Sequence, residues 1–203
     1  MAERTAINNF SLSDSMNRQE LTESPVLKAA EKSYEQLQKL KENAFIDNLT
    51  GAYNQNAWAD FQSHFDQNRG GKTSIVMIDI NGLKDLNDRE GHSAGDEFIK
   101  KTVLYVKSVF SRTGDKVYRI GGDEIGVVCD YIPTKKRDEF NSYISGHFNP
   151  DVVGELGLDF AYGTAHTDPQ QDMSIKSTIF RADMTMYDNK KEIKAANPDK
   201  YSR

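Results

Sequence analysis

The residues best suited to chemistry in this sequence are acidic. Asp79 closes the apolar run Ile75-Val76-Met77-Ile78, which reads as a buried strand, and Asp123-Glu124 follow Gly121-Gly122 at what reads as a hairpin tip. Carboxylates are hard oxygen ligands. Mg²⁺ is typically held by one or two of them together with substrate phosphates. Two such ions form the clamp of nucleotidyl transfer, activating a hydroxyl and stabilising the departing pyrophosphate. Gly121 and Gly122 carry no side chain where a phosphate or ribose would approach the backbone. On its own, Gly-Gly-Asp is also an ordinary acidic turn. The chemistry therefore depends on whether the fold brings Asp79 alongside.

The elements that would do so follow from periodicity. Residues 54–68 read as a helix with Ala57, Trp58, Phe61 and Phe65 on one face, and 73–80 as a strand. Residues 94–110 read as a helix, 116–120 and 125–129 as the two strands of the hairpin, 134–148 as a helix, 158–164 as a strand and 174–194 as a last helix. The order β-α-β-β-α-β is the ferredoxin-like split unit, an α+β fold. In it the first strand and the hairpin supply neighbouring central strands, so Asp79, Asp123 and Glu124 converge.

Ahead of this unit, residues 1–23 are polar and without apolar period, and read as disordered. Ser24-Pro25 reads as a helix start, opening a helix over 24–46. Its residues Leu27, Ala30, Tyr34, Leu37, Lys41 and Ala44 step alternately by three and four. That spacing fits a short coiled coil and equally a helix packed on its own domain.

Composition sets the outer bounds. The 203 residues carry 26 Lys and Arg against 31 Asp and Glu, a formal charge of −5. This disfavours a general binder of nucleic acid or anionic membrane. No apolar run approaches the roughly 20 residues of a membrane span, and no secretory leader is readable. A single cysteine, Cys129, excludes an internal disulfide and reads as a small buried residue. The expectation is a soluble, cytoplasmic protein.

Arg119-Ile120-Gly121-Gly122-Asp123-Glu124-Ile125 resembles the signature of the GGDEF-domain diguanylate cyclases. The stretch from Asp79-Ile80-Asn81-Gly82-Leu83-Lys84 through Asn87 and Gly91-His92-Ser93-Ala94-Gly95-Asp96 resembles that family's first-strand and loop motif. Asp47-Asn48-Leu49-Thr50-Gly51 is similar to its opening turn, and Arg181-Ala182-Asp183 through Lys190 to its final-helix motif. The four motifs stand in family order over about three-quarters of the chain.

The resemblance implies a nucleotide-cyclase and polymerase-like palm over residues 47–203. Its expected reaction condenses two GTP into cyclic di-GMP and two pyrophosphates, with two Mg²⁺ (or Mn²⁺) per site. It implies that Asp79, Asp123 and the Ile80 carbonyl ligate the metals, and that Glu124 assists there or as base. It places Asn87, Asp96 and His92 around guanine, and Lys84, Lys190 and Lys194 at the triphosphate beside Gly121 and Gly122. Arg112-Thr113-Gly114-Asp115 stands where the family often has an inhibitory product site, with Arg112 and Asp115 as its contacts. Each protomer of this family holds one GTP, so catalysis requires a homodimer, with the 24–46 helix as the element that controls it. Alternatives are a cyclic di-GMP receptor acting through Arg112 and Asp115, or a GTP-binding regulatory module.

The sequence departs from the family pattern at Asn81, usually Asp; at Gly82 and Leu83, usually bulkier; at Ile125, usually Phe; and at Lys194, usually Arg. A lysine is a point charge and does not reproduce an arginine fork.

Overall fold

The computed structural model describes residues 25–65, 72–130 and 132–201. The readings of residues 1–23 and of the Ser24 cap lie outside them. Helix α1 (Pro25–Phe45) leads to the main unit, Phe45–Arg203. In that unit α2 (Gln55–His64) precedes β1 (Ser74–Ile80). Helices α3 (Leu83–Glu90) and α4 (His92–Val109) follow, then β2 (Lys116–Arg119) and β3 (Glu124–Cys129). The last part holds α5 (Arg137–His147), α6 (Pro150–Glu155), β4 (Phe160–His166), α7 (Ile175–Ala196) and α8 (Pro198–Tyr201).

The four strands form one antiparallel sheet in the order β2-β3-β1-β4, the ferredoxin-like arrangement expected from the sequence. Strand alternation sorts the side chains onto two faces. Val76, Ile78 and Ile80 of β1 and Ile125, Val127 and Cys129 of β3 pack with Ile99, Val103 and Val106 of α4 and Phe140 and Ile144 of α5. Ile75 and Met77 of β1 and Val128 of β3 pack with Trp58 of α2 and Ile175, Ala182 and Met186 of α7. Fully buried residues such as Ile75 and Ile78 each contribute roughly 1.5–3 kcal/mol by burial. The same alternation assigns Asp79 and Glu124 to the α7 face.

Two contacts fix α7 against that face. A Cβ added at Gly163 of β4 would lie 2.1 Å from the Met186 backbone nitrogen and 2.2 Å from the Ala182 carbonyl oxygen. Only a glycine lets the helix backbone come so close. At the helix start, Arg181 donates to Asp172 at 2.6 Å and to the His166 carbonyl at 2.8 Å, while Thr178 also donates to Asp172 at 2.8 Å.

Several boundaries differ from the sequence reading. Helix α3 was not expected, and α4 begins at His92 rather than 94. Strand β4 starts two residues later than expected because the Leu158 N–H is taken by the Val153 carbonyl, and it runs on to His166, opposite Ser74. The expected helix 134–148 opens with a 3₁₀ turn, and α6, capped by Asn149 with Pro150 at its first position, was also missed. Among the described residues, no helix is long and apolar enough to cross a membrane.

Candidate active site

Asp79 lies at the C-terminal end of β1 directly opposite Glu124, the first residue of β3. The Ile80 N–H donates to the Asp123 carbonyl at 2.9 Å, which draws the hairpin tip to the strand end. The three acidic positions therefore share one edge of the sheet. From α7, Lys190 Nζ reaches Asp79 Oδ1 at 2.6 Å, with both side chains largely buried.

Glu124 is exposed along much of its side chain, yet its carboxyl group is raised above the ordinary glutamate range. Desolvation is the main cause, followed by the negative charges of Asp123, Asp79 and Asp183, with Lys190 acting in the opposite sense. Its carboxylate folds back over the turn: a Cβ at Gly121 would stand 2.7 Å from Glu124 Oε2. Gly121 thus has a local structural reason, whereas a Cβ at Gly122 would meet nothing within 4 Å and leaves its surface open. Asp183 is the acidic neighbour that the sequence reading quoted in a motif without giving it a role.

Among the described residues, no group of three or more His, Cys, Asp or Glu is preassembled as a metal cage. The donor set still suits Mg²⁺, which takes few protein carboxylates and completes its shell with phosphates and water. Crowded carboxylates that raise one another's proton affinity are also what a divalent cation relieves.

The remaining candidates flank this edge. Lys84 is exposed on α3, and Lys190 and Lys194 lie one turn apart on α7, with Lys194 exposed. Asn87 on α3 has its Oδ1 buried over Gly95, without a partner among the described residues. His92 and Asp96 on α4 are both exposed. Neither has a hydrogen bond that ties it to Asn87.

Arg112 and Asp115 occupy the turn between α4 and β2, where the Asp115 N–H donates to the Arg112 carbonyl at 3.0 Å. The Arg112 side chain is exposed. Asp115 Oδ1 is buried without a partner among the described residues, and burial raises the carboxyl group despite Arg112 nearby. Beside Arg112 lies a cavity of about 470 Å³ lined by Ile132, Pro133, Lys136, Phe140 and Tyr143. Cys129 is fully buried, with its thiol pushed well up by burial, in keeping with a packing role.

The chain resembles known proteins in sequence and in fold. The family model for "Diguanylate cyclase, GGDEF domain" matches residues 44–196. Diguanylate cyclase VdcA of Vibrio cholerae is 28% identical over 161 residues, covering 77% of this chain and 47% of that protein. Diguanylate cyclase DgcS of Shewanella oneidensis is 27% identical over 169 residues, covering 76% and 52%. The chain thus spans about half the length of these curated relatives. The crystal structure of the coiled coil and GGDEF domain of DgcB from Caulobacter crescentus, in complex with c-di-GMP, superposes with a TM-score of 0.67. At 20% identity it covers 86% of this chain and 95% of that one, a likeness of fold. A signature hairpin, an acidic strand end and a matching family model over most of its length place the chain in the GGDEF-domain family.

Proposed function

We propose that this chain condenses two GTP into cyclic di-GMP with release of two pyrophosphates. The observation that carries the reading is the pairing of Asp79 with Glu124 across β1 and β3, with Asp123 drawn in by the Ile80 N–H. Each 3′-hydroxyl oxygen forms a bond to the α-phosphorus of the other GTP. The α–β bridging P–O bond breaks and its electron pair leaves with pyrophosphate. Glu124, opposite Asp79 and next to Asp123, assists at the metals or accepts the hydroxyl proton.

Asp79, Asp123 and the Ile80 carbonyl would hold two Mg²⁺ or Mn²⁺, which when bound supply charge stabilisation and lower the hydroxyl pKa. Lys84, Lys190 and Lys194 take the triphosphate, Gly121 and Gly122 leave it room, and Asn87, His92 and Asp96 surround the base. One site holds one GTP, so two copies must face each other. Along α1, Tyr34 and Leu37 of the apolar seam are 63% and 49% exposed, which supports a pairing role for residues 24–46. The chemistry, with GTP as substrate, belongs in the cytoplasm.

The experiment is to incubate purified protein with GTP and Mg²⁺ and identify the products, alongside Asp123→Asn. Cyclic di-GMP and pyrophosphate from the parent, and loss of nearly all turnover in a folded variant, are expected. Near-normal turnover in the variant refutes the metal assignment.

A second reading concerns product binding at Arg112 and Asp115, supported by the cavity beside the exposed Arg112. Arginine binds guanine bidentately and a carboxylate accepts from its Watson–Crick edge. Calorimetry with cyclic di-GMP, the active site blocked, should show binding that Arg112→Ala weakens at least tenfold. Equal affinities eliminate the site.

A further inference from the structure

Asn81 stands where the family pattern has a second aspartate, and the structure supplies its partner. The residue is 4% exposed. Its backbone N–H donates to the Asp159 carbonyl at 2.9 Å, and its side-chain Nδ2 donates to Asp159 Oδ1, also at 2.9 Å. The other carboxylate oxygen, Oδ2, accepts from Tyr201 Oη and pairs with Lys200 Nζ, both at 2.5 Å. Burial alone would raise the Asp159 carboxyl group, but Lys200, Tyr201 and Asn81 outweigh it and hold it below the ordinary range. Burial and Asp159 in turn raise Tyr201, so it remains a hydroxyl donor. One carboxylate thereby joins the turn after β1 to the C-terminal helix α8.

The start of α3 depends on that turn. Its cap residue, Gly82, is left-handed at φ 69 and offers no side-chain hydrogen bond to the helix. The residues that lead into α3 therefore help to set its orientation, together with Leu83, which packs on the core. On one side of Asn81 lie Asp79 and Ile80, and on the other Lys84 and Asn87. The amide at 81 fits this place because an aspartate would set a second negative charge against Asp159.

We propose that Asp159, Lys200 and Tyr201 form a clasp that acts through Asn81 to position Lys84 and Asn87 for the nucleotide. They are positioning residues and touch no substrate. The inference rests on the GTP-binding reading of the site.

The test uses the full chain and two readouts: affinity for a fluorescent GTP analogue with Mg²⁺, and KM and kcat for GTP. Tyr201→Phe removes one donor and keeps the ring. It should weaken analogue binding and raise KM about threefold to tenfold, with kcat within about twofold and an unchanged circular dichroism spectrum. Asn81→Asp should do so more strongly, and adding Asp159→Asn should recover most of the loss by restoring one amide facing one carboxylate. Unchanged affinity and KM in both single variants overturn the clasp, as does a double variant no better than Asn81→Asp. A purely structural role would lower kcat through the active fraction and leave KM alone, which also overturns it. A parent protein that binds no GTP analogue overturns the nucleotide reading itself, and the clasp with it.

Discussion

Arg119 links the opening turn of the GGDEF unit to its signature hairpin by a fork. Its Nη1 lies 3.2 Å from Asp47 Oδ2, while Nε and Nη2 donate to the Gly122 carbonyl at 3.3 and 3.0 Å. Asp47 is further fixed by the Thr50 hydroxyl at 2.6 Å and the Thr50 N–H at 2.9 Å. Two motifs that are 72 residues apart in sequence therefore meet at one guanidinium. The opening turn holds the signature turn, and with it Asp123.

Arg119→Lys should show what the fork contributes. A lysine can reach one partner but not both in fixed geometry. We expect stability to fall by about 1–2 kcal/mol and turnover to fall at least fivefold, through the displaced Asp123 loop. Thermal unfolding combined with a GTP turnover assay checks both. Wild-type turnover in the variant would show that Gly122 is held without Arg119.

Gly163 carries a sharper structural expectation. Its missing Cβ faces the backbone of α7, which cannot step aside as a flexible side chain would. Gly163→Ala must push α7 from the sheet, costing about 2–4 kcal/mol as overpacking. Lys190 moves with the helix, so the Asp79 pair should loosen as well. Denaturant unfolding gives the first effect. A loss under 0.5 kcal/mol would show that the helix shifts freely.

The convergence of Asp79 with Asp123 and Glu124 was legible because the apolar runs of β1 and β3 mark buried central strands with the carboxylates at their ends. The order of elements was legible for the same reason. Helix α3 was not, since Leu83–Glu90 is mostly polar, lacks a capping side chain and offers only Leu83 and Leu86 as apolar marks. Helix α6 did announce itself through Asn149-Pro150, but six residues give no period. Asp159 and Tyr201 meet across 42 residues through two polar groups, a contact that no local pattern encodes.

His166 makes the stability of the fold pH-dependent. Ser74 Oγ lies 2.6 Å from its Nδ1 and Asn141 Oδ1 lies 3.0 Å from its Nε2, an arrangement suited to a neutral ring. Burial, together with Arg137 and Arg181, lowers its pKa to about 4, with Asp138 opposing weakly. The unfolded value is near 6.5. The native state thus binds the proton less readily, and this contribution to stability is complete above pH 6.5 and lost as pH falls from 6.5 to 4. Partial exposure limits the amplitude to about 1–3 kcal/mol. Urea midpoints measured between pH 4 and 7 should show a drop that His166→Gln flattens. Parallel curves for parent and variant would clear His166 of the effect.

Base selection is the remaining test of the proposed site. Guanine presents N1–H and N2–H₂ donors, whereas adenine offers an acceptor at N1 and no such pair. Asn87 Oδ1 is buried over Gly95 without a partner among the described residues, so a turn of the side chain that offers it to a donor from the base breaks no hydrogen bond of that oxygen. Asp96 is exposed before the ligand arrives, and desolvating it against an adenine acceptor would be unfavourable. Water around Asp96 softens the penalty relative to a buried carboxylate. Two mismatched groups at about 1 kcal/mol each correspond to roughly 30-fold discrimination. We therefore expect GTP to bind about 30-fold more tightly than ATP, and Asp96→Ser to bring the ratio below about 10. Competition binding against a fluorescent GTP analogue measures both ratios. Comparable affinity of the parent protein for GTP and ATP would show that neither Asn87 nor Asp96 reads the base.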